Sequence, residues 1–310
     1  MEKIAMSTLP NSSPSGGKVS IHTLQSKKLR MEPITFLTAY DFPTAAALDR
    51  SGIDGILVGD SLGMVVLGYE TTLPVTMQDM LHHCRAVARG ASRAHLVADM
   101  PFMSYQVSTA EALRNAGSLL QKGGMDAVKL EGGRERTPAI KAIVSAGIPV
   151  MGHLGLTPQS VHQLGGWKVQ AKSAESAKTL IEDSLILEDA GCYALVLESI
   201  PVEVSQLITQ RLSIPVIGIG AGSGCDGQIL VTHDLLGLFD RFTPSFVKKY
   251  ADLFSEMQRA FQQYISDVKE RRFPAAEHAN SMDPQALRDL IQEINLPDPD
   301  VEPDEKARYH

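Results

Sequence analysis

The sequence predicts a (β/α)8 barrel, on three observations. Eight short apolar runs recur at regular intervals between residues 34 and 234. Stretches with helical spacing separate them. Glycine stands at the joins where a helix runs into the next strand. The runs are continuous rather than alternating, as expected of parallel strands covered on both faces. A doubly wound open sheet is the competing arrangement. Eight evenly spaced units with no clear boundary favour the barrel.

The elements follow in order. ITFLTAY (34–40) is the first strand, and Asp41 in TAYDFPTAAA is expected to cap the helix after it. GILVGD (55–60) is the second strand, and Thr76 caps MQDMLHHCRAVARGA. HLVADM (95–100) is the third, after which Ser108 and Glu111 form an S-x-x-E capping box. AVKLEG (127–132), IPVMGH (148–153), ALVLES (194–199), IPVIGIG (214–220) and QILVTHD (228–234) complete the set. Thr137-Pro138, Thr157-Pro158 and Thr243-Pro244 each place a cap residue before a proline suited to the first helical position. SGIDGILV, GGMDAVKL, SAGIPVMG and DAGCYALV pass from helix through glycine into strand, where a left-handed residue closes the helix.

These units place the barrel at residues 19–270. Residues 1–18 read as a flexible lead-in. Residues 271–310 read as an acidic, proline-rich tail with one short helix, QALRDLIQEI, after Asp283-Pro284. Eight acidic and three basic residues fall between Ser281 and His310, the composition of a solvated segment.

Composition narrows the function. The chain has 310 residues, 44% of them hydrophobic and only 5% aromatic, so its core is mainly aliphatic. A formal charge of −7 gives no basic stripe for nucleic acid. No apolar run reaches the roughly 20 residues that span a bilayer. The N-terminus has no secretory h-region. Cys84, Cys192 and Cys225 are odd in number and widely spaced, which suits a reduced, cytoplasmic protein. HHC at 82–84 is no metal cluster, because adjacent helical residues point in different directions. GSGCDG at 222–227 matches a dinucleotide fingerprint in form, but QILV after it reads as strand rather than helix. GIGAG (218–222) suits close approach of a ligand or backbone, and Trp167 is either a lid aromatic or a packed loop residue.

The chemistry gathers at the strand ends. Asp60 ends the second strand, Asp99 the third, Glu131 the fourth, His153 the fifth and Glu198 the sixth. In a barrel these ends form the floor of the active site. Lys129 lies two residues before Glu131 and shares its inward face. One acid after a strand is most often a helix cap or turn residue, and each of the four has that ordinary reading. Four together with a lysine point to a divalent-cation site. Oxygen ligands alone suit Mg²⁺ or Mn²⁺ acting as an electrophile on a substrate oxygen.

LTAYD, VGDSLGMVVLGY, TLPVT, ADMPFMSY, VKLEGG, GHLGLTPQS, GGWKVQ, LVLESIP and IPVIGIGAGSGCDGQILV occur in that order. Over residues 19 to 255 the chain resembles the 3-methyl-2-oxobutanoate (ketopantoate) hydroxymethyltransferase family. The resemblance implies a TIM barrel of the phosphoenolpyruvate/pyruvate type that supplies pantothenate and coenzyme A synthesis. It implies Mg²⁺ and 5,10-methylenetetrahydrofolate, with Asp60, Asp99 and Glu131 as metal ligands. It implies Asp60, Ser61, Asp99 and Lys129 as contacts of the keto acid, Glu198 as catalytic base, and assembly into a homodecamer. His153 lies near by strand position, with an orienting or proton-relay role. The expected chemistry is loss of the C3 proton to an enolate stabilised by Mg²⁺, which then attacks the one-carbon unit. Two alternatives share the acidic site: a Mg²⁺-dependent C–C lyase or phosphomutase acting on a 2-keto acid, and a non-catalytic metabolite-binding barrel.

Overall fold

A computed structural model describes residues 17–294. The acidic stretch after Glu293 and Ile294 and most of the N-terminal lead-in lie outside the described residues. The chain separates into two compact units, Met1–Asp252 and Leu253–His310. The sequence division at about 270 lies within the second.

The first unit is a closed parallel barrel. Its strands are β1 (Ile34–Thr38), β2 (Gly55–Val58), β3 (His95–Asp99), β4 (Ala127–Glu131), β5 (Val150–Gly155), β6 (Ala194–Glu198), β7 (Val216–Ile219) and β8 (Gly227–Leu230). Each pairs with the next, and β1 pairs with β8 to close the ring. All eight apolar runs become strands. The last run is shorter than its sequence suggests, because Thr232–Leu235 turns into a helix. There Thr232 donates its N–H to Thr38 Oγ1 at 3.0 Å, tying the turn to the end of β1.

Residues alternate across the barrel wall. Phe36, Leu57, Val97, Met151, Ile217 and Ile229 face inward and form the inner core. Ile56, Val58, Leu96, Val128, Leu130 and Leu195 face outward into the larger core against the helices. Helix Ile21–Leu29 adds Leu24 to the inner cluster. Lys18, just before it, pairs with Asp126 at 2.7 Å.

The local signals mostly hold. Asp41 caps Phe42–Arg50 by accepting the Thr44 N–H. Thr76 caps Met77–Gly90 and exchanges hydrogen bonds with Asp79. Gly52, Gly124, Gly147 and Gly191 all have positive φ, as the helix-to-strand joins require. Ser108 accepts the Glu111 N–H, so the capping half of its expected box forms. Thr137 and Thr157 make no side-chain cap. Thr243-Pro244 opens a turn rather than a helix, closed by the Val247 N–H on the Pro244 carbonyl at 3.0 Å. Pro244, Ser245, Phe246 and Val247 all line the central cavity. GSGCDG leads into β8 and opens no helix.

In the second unit, helix Leu253–Lys269 carries exposed Met257, Phe261, Tyr264 and Ile265 along one face. The short helix expected after Asp283 forms over Pro284–Glu293, capped by the Asp283 carboxylate. No helix among the described residues is long and apolar enough to cross a membrane. Cys84, Cys192 and Cys225 are free thiols.

Candidate active site

The inward parity of the barrel core continues upward into polar residues. Asp99 ends β3 on the same face as Val97. Lys129 and Glu131 continue the face of Ala127, His153 that of Met151, and Glu198 that of Val196. Strand register makes neighbours of Asp99 and Lys129, and of Glu131 and His153. Asp60 departs from its expected place: β2 ends at Val58, and Asp60 stands on the turn before the short helix Leu62–Val65. Gly63 does not bend that turn by a positive φ. It lies inside the helix, where a Cβ would come within 2.6 Å of the Val75 side chain. The glycine therefore allows close packing.

A cavity of about 480 Å³ opens at the C-terminal end of the strands. Asp60, Ser61, Asp99, Lys129, Glu131, His153 and Glu198 all line it, so every site residue read from the sequence meets there. Lys129 Nζ pairs with Asp99 Oδ1 at 2.8 Å and lies 3.2 Å from His153 Nδ1. His153 Nδ1 is 3.4 Å from Glu131 Oε1, and its Nε2 is 3.3 Å from Glu198 Oε2. Asp60 donates its backbone N–H to Asp99 Oδ2 at 3.0 Å. Ser61 Oγ and Tyr40 OH lie 2.9 Å apart.

The charges do not cancel. Burial, then the nearby Asp99 and Glu131 charges, raises the Asp60 carboxyl well above the usual range. Burial likewise pushes Glu131 up to about 7, with Lys129 opposing it. Burial alone would lower Lys129, but Asp99, Glu131 and Asp60 outweigh it and keep the ammonium charged. Burial, then Lys129, lowers His153, so its imidazole is neutral near pH 7. A neutral ring that accepts from Lys129 at Nδ1 carries its proton on Nε2, facing Glu198.

The acids share the cavity without forming a finished cage. Among the described residues no three His, Cys, Asp or Glu side chains stand in metal-holding geometry. They have other partners. Asp99 is engaged by Lys129 and the Asp60 N–H, and Glu131 Oε2 accepts the Gln159 N–H at 3.0 Å.

Gln159 was not singled out in the sequence, nor was Tyr105. The Gln159 amide donates to Asp60 Oδ2 at 2.9 Å and to the Met100 carbonyl at 3.0 Å. Its Oε1 accepts from Tyr105 OH at 2.6 Å and from Gln106 Nε2 at 3.2 Å. The Glu131 N–H is in turn donated to Tyr105 OH at 3.2 Å. Gln159 follows Thr157-Pro158 in what reads as an ordinary helix start, so only its burial could have marked it. Trp167 lines the cavity, and Cys84 of the HHC triplet is buried in the core. His83 Nδ1 lies 2.6 Å from the Tyr40 carbonyl oxygen.

Comparison with known proteins decides among the chemistries this acidic cavity allows. The family model for ketopantoate hydroxymethyltransferase matches residues 18–276. This chain belongs to that family. The 3-methyl-2-oxobutanoate hydroxymethyltransferase of Syntrophus aciditrophicus (strain SB) is 57% identical over 264 residues, 85% of this chain and 97% of the relative. That of Enterococcus faecalis (strain ATCC 700802 / V583) is 56% identical over 268 residues, 86% of this chain and 98% of the relative. As a family member the chain is a one-carbon transferase that forms ketopantoate. Solved structures widen the fold kinship. A phosphonopyruvate hydrolase in complex with oxalate and Mg²⁺ matches with a TM-score of 0.56 at 12% identity, covering 89% of this chain and 95% of its own. A 2,3-dimethylmalate lyase of the PEP mutase/isocitrate lyase superfamily matches at 0.54 and 15%, covering 89% and 93%. These show the barrel type alone. The lyase or phosphomutase alternative is not favoured, since the hydroxymethyltransferases match in sequence across the whole barrel.

Proposed function

We propose that this cavity transfers a hydroxymethyl group from 5,10-methylenetetrahydrofolate to 3-methyl-2-oxobutanoate with the help of Mg²⁺. The observation that supports it is one buried contact chain, from Lys129 through His153 to Glu198, beside the acids Asp60, Asp99 and Glu131. The donor set fits a hard cation. It is all oxygen, its acids outnumber the single lysine, and burial, with neighbouring acids, makes two of them resist ionisation. Mg²⁺ is commonly held by one or two carboxylates with water and substrate, so it needs no preformed cage. Asp60, Asp99 and Glu131 would hold it. When bound it would supply Lewis-acid polarisation of the keto acid's carboxylate and keto oxygens.

The chain's own residues divide the remaining work. Lys129 and Ser61 bind and orient the keto acid carboxylate. Glu198 takes the C3 proton, a role for which a positioned base typically contributes ~10²–10⁴-fold. His153 Nε2 lies 3.3 Å from Glu198 Oε2 and flanks the base. One water cleaves both C–N bonds of the methylene bridge, its hydrogens passing to the two nitrogens as tetrahydrofolate leaves and its oxygen staying on the carbon as formaldehyde. C3 bonds to that carbon, and the oxygen takes the proton held by Glu198 to become the hydroxyl. Leu57, Val196 and Ile229 beneath the site exclude bulk water. The enzyme is proposed to work in the cytoplasm as a homo-oligomer, for which the resemblance implies a decamer.

The deciding assay follows ketopantoate from the keto acid, with and without methylenetetrahydrofolate and with and without a chelator. Product should require both the folate and the metal. Product without folate would overturn the donor, and full activity in chelator would overturn the metal.

A further inference from the structure

The acids that handle the keto acid come from β3, β4 and β6 and the turn after β2. The other arc of the mouth, formed by the segment after β8, has a different character. Phe239, Phe242 and Phe246 line the cavity there. Among them stands one further acid, Asp234, in the short helix Thr232–Leu235 directly after β8. It is only 7% exposed, yet its carboxylate accepts no hydrogen bond and pairs with no cation among the described residues. A buried carboxylate without a partner is costly to keep, and the C3 chemistry makes no use of this one.

We propose that Asp234, with Phe239, Phe242 and Phe246, forms the subsite for the pterin ring of the folate donor. This rests on the folate reading above. A pterin is flat and aromatic, and one edge presents a ring N–H beside an amino group. Those two parallel donors match the two oxygens of a carboxylate, and the phenyl rings suit the flat faces. Burial raises the Asp234 carboxyl to about 6, against the charge of Lys249, so it is ionised and accepting at neutral pH. With the pterin anchored on the β8 side, its one-carbon unit faces the acids on the opposite arc. The size of the cavity agrees, since a small branched keto acid fills only part of about 480 Å³.

The test separates two half-reactions. Exchange of the C3 hydrogen with D₂O, with Mg²⁺ and keto acid alone, needs no folate. Asp234→Asn should raise the KM for methylenetetrahydrofolate roughly 10–100-fold, the usual scale for a lost charged hydrogen-bond pair. The exchange rate should stay near that of the unaltered enzyme. An unchanged folate KM, or exchange that falls in parallel, overturns the subsite. A ligand-side measurement needs no variant. A tetrahydrofolate analogue lacking the 2-amino group should inhibit the unaltered enzyme at least about tenfold more weakly than tetrahydrofolate. Equal inhibition overturns the proposal even if Asp234→Asn fails to fold. If the unaltered enzyme makes no product from any folate, the donor reading itself has failed, a result distinct from either of these.

Discussion

Replacing Gln159 with leucine isolates the residue that holds two of the site acids in place. The side-chain amide donates to Asp60 Oδ2 at 2.9 Å and accepts from Tyr105 OH at 2.6 Å. Leucine is of similar size but offers neither a donor nor an acceptor. Tyr105 OH still receives the Glu131 N–H. The Glu131 carboxylate still receives the backbone N–H of residue 159, which the substitution leaves in place. The main loss therefore falls on Asp60, a 3%-exposed carboxylate left without that donor. A hydrogen bond to a charged group contributes about 1.5–3 kcal/mol, or roughly 10–150-fold in an equilibrium constant. The same bond lowers the Asp60 carboxyl, so its removal moves that carboxyl further up and makes ionisation harder. Calorimetric titration of Mg²⁺ near pH 7 should show at least about tenfold weaker binding. The deficit should shrink as pH rises and Asp60 ionises. Unchanged Mg²⁺ affinity with an unchanged pH profile would refute Gln159 as the group that positions Asp60.

Two further outcomes follow from the same geometry. Glu198→Gln should leave keto acid binding largely intact while slowing C3 exchange with D₂O by ~10²–10⁴-fold, and normal exchange would remove Glu198 as the base. Mg²⁺ binding to the unaltered enzyme should strengthen as pH rises through about 7. Burial holds a proton on Glu131 below that pH, and a cation must displace it. Calorimetry in buffers of differing ionisation enthalpy should therefore record proton release below pH 7, and a flat profile would contradict the assigned electrostatics.

Much of this protein is legible in its sequence because the barrel is built from local rules repeated eight times. Continuous apolar runs specify doubly covered strands, and glycine at each helix end specifies the turn into the next strand. Period-two alternation then fixes which residues face inward. Ala127, Lys129 and Glu131 share a face whatever the rest of the chain does. That is enough to assemble Asp99, Lys129, Glu131, His153 and Glu198 at one mouth, and the order of family blocks names the reaction.

Only the tertiary structure decided the rest, because it depends on contacts between residues far apart in the chain. Thr243-Pro244 carries a sound helix-start signal, yet the chain there follows the cavity wall and leaves Phe242 and Phe246 exposed at its mouth. Asp60 sits beyond its strand, with its N–H donated to Asp99. Gln159 and Tyr105 matter through hydrogen bonds to acids on other strands, which no local pattern encodes. Asp234 looks like any polar residue after a strand until closure of the barrel buries it, unpartnered, facing the same cavity as Asp60, Asp99, Glu131 and Glu198. Local propensity sets the elements and the faces they present. Burial and long-range pairing set which of those polar groups are left free to meet a ligand.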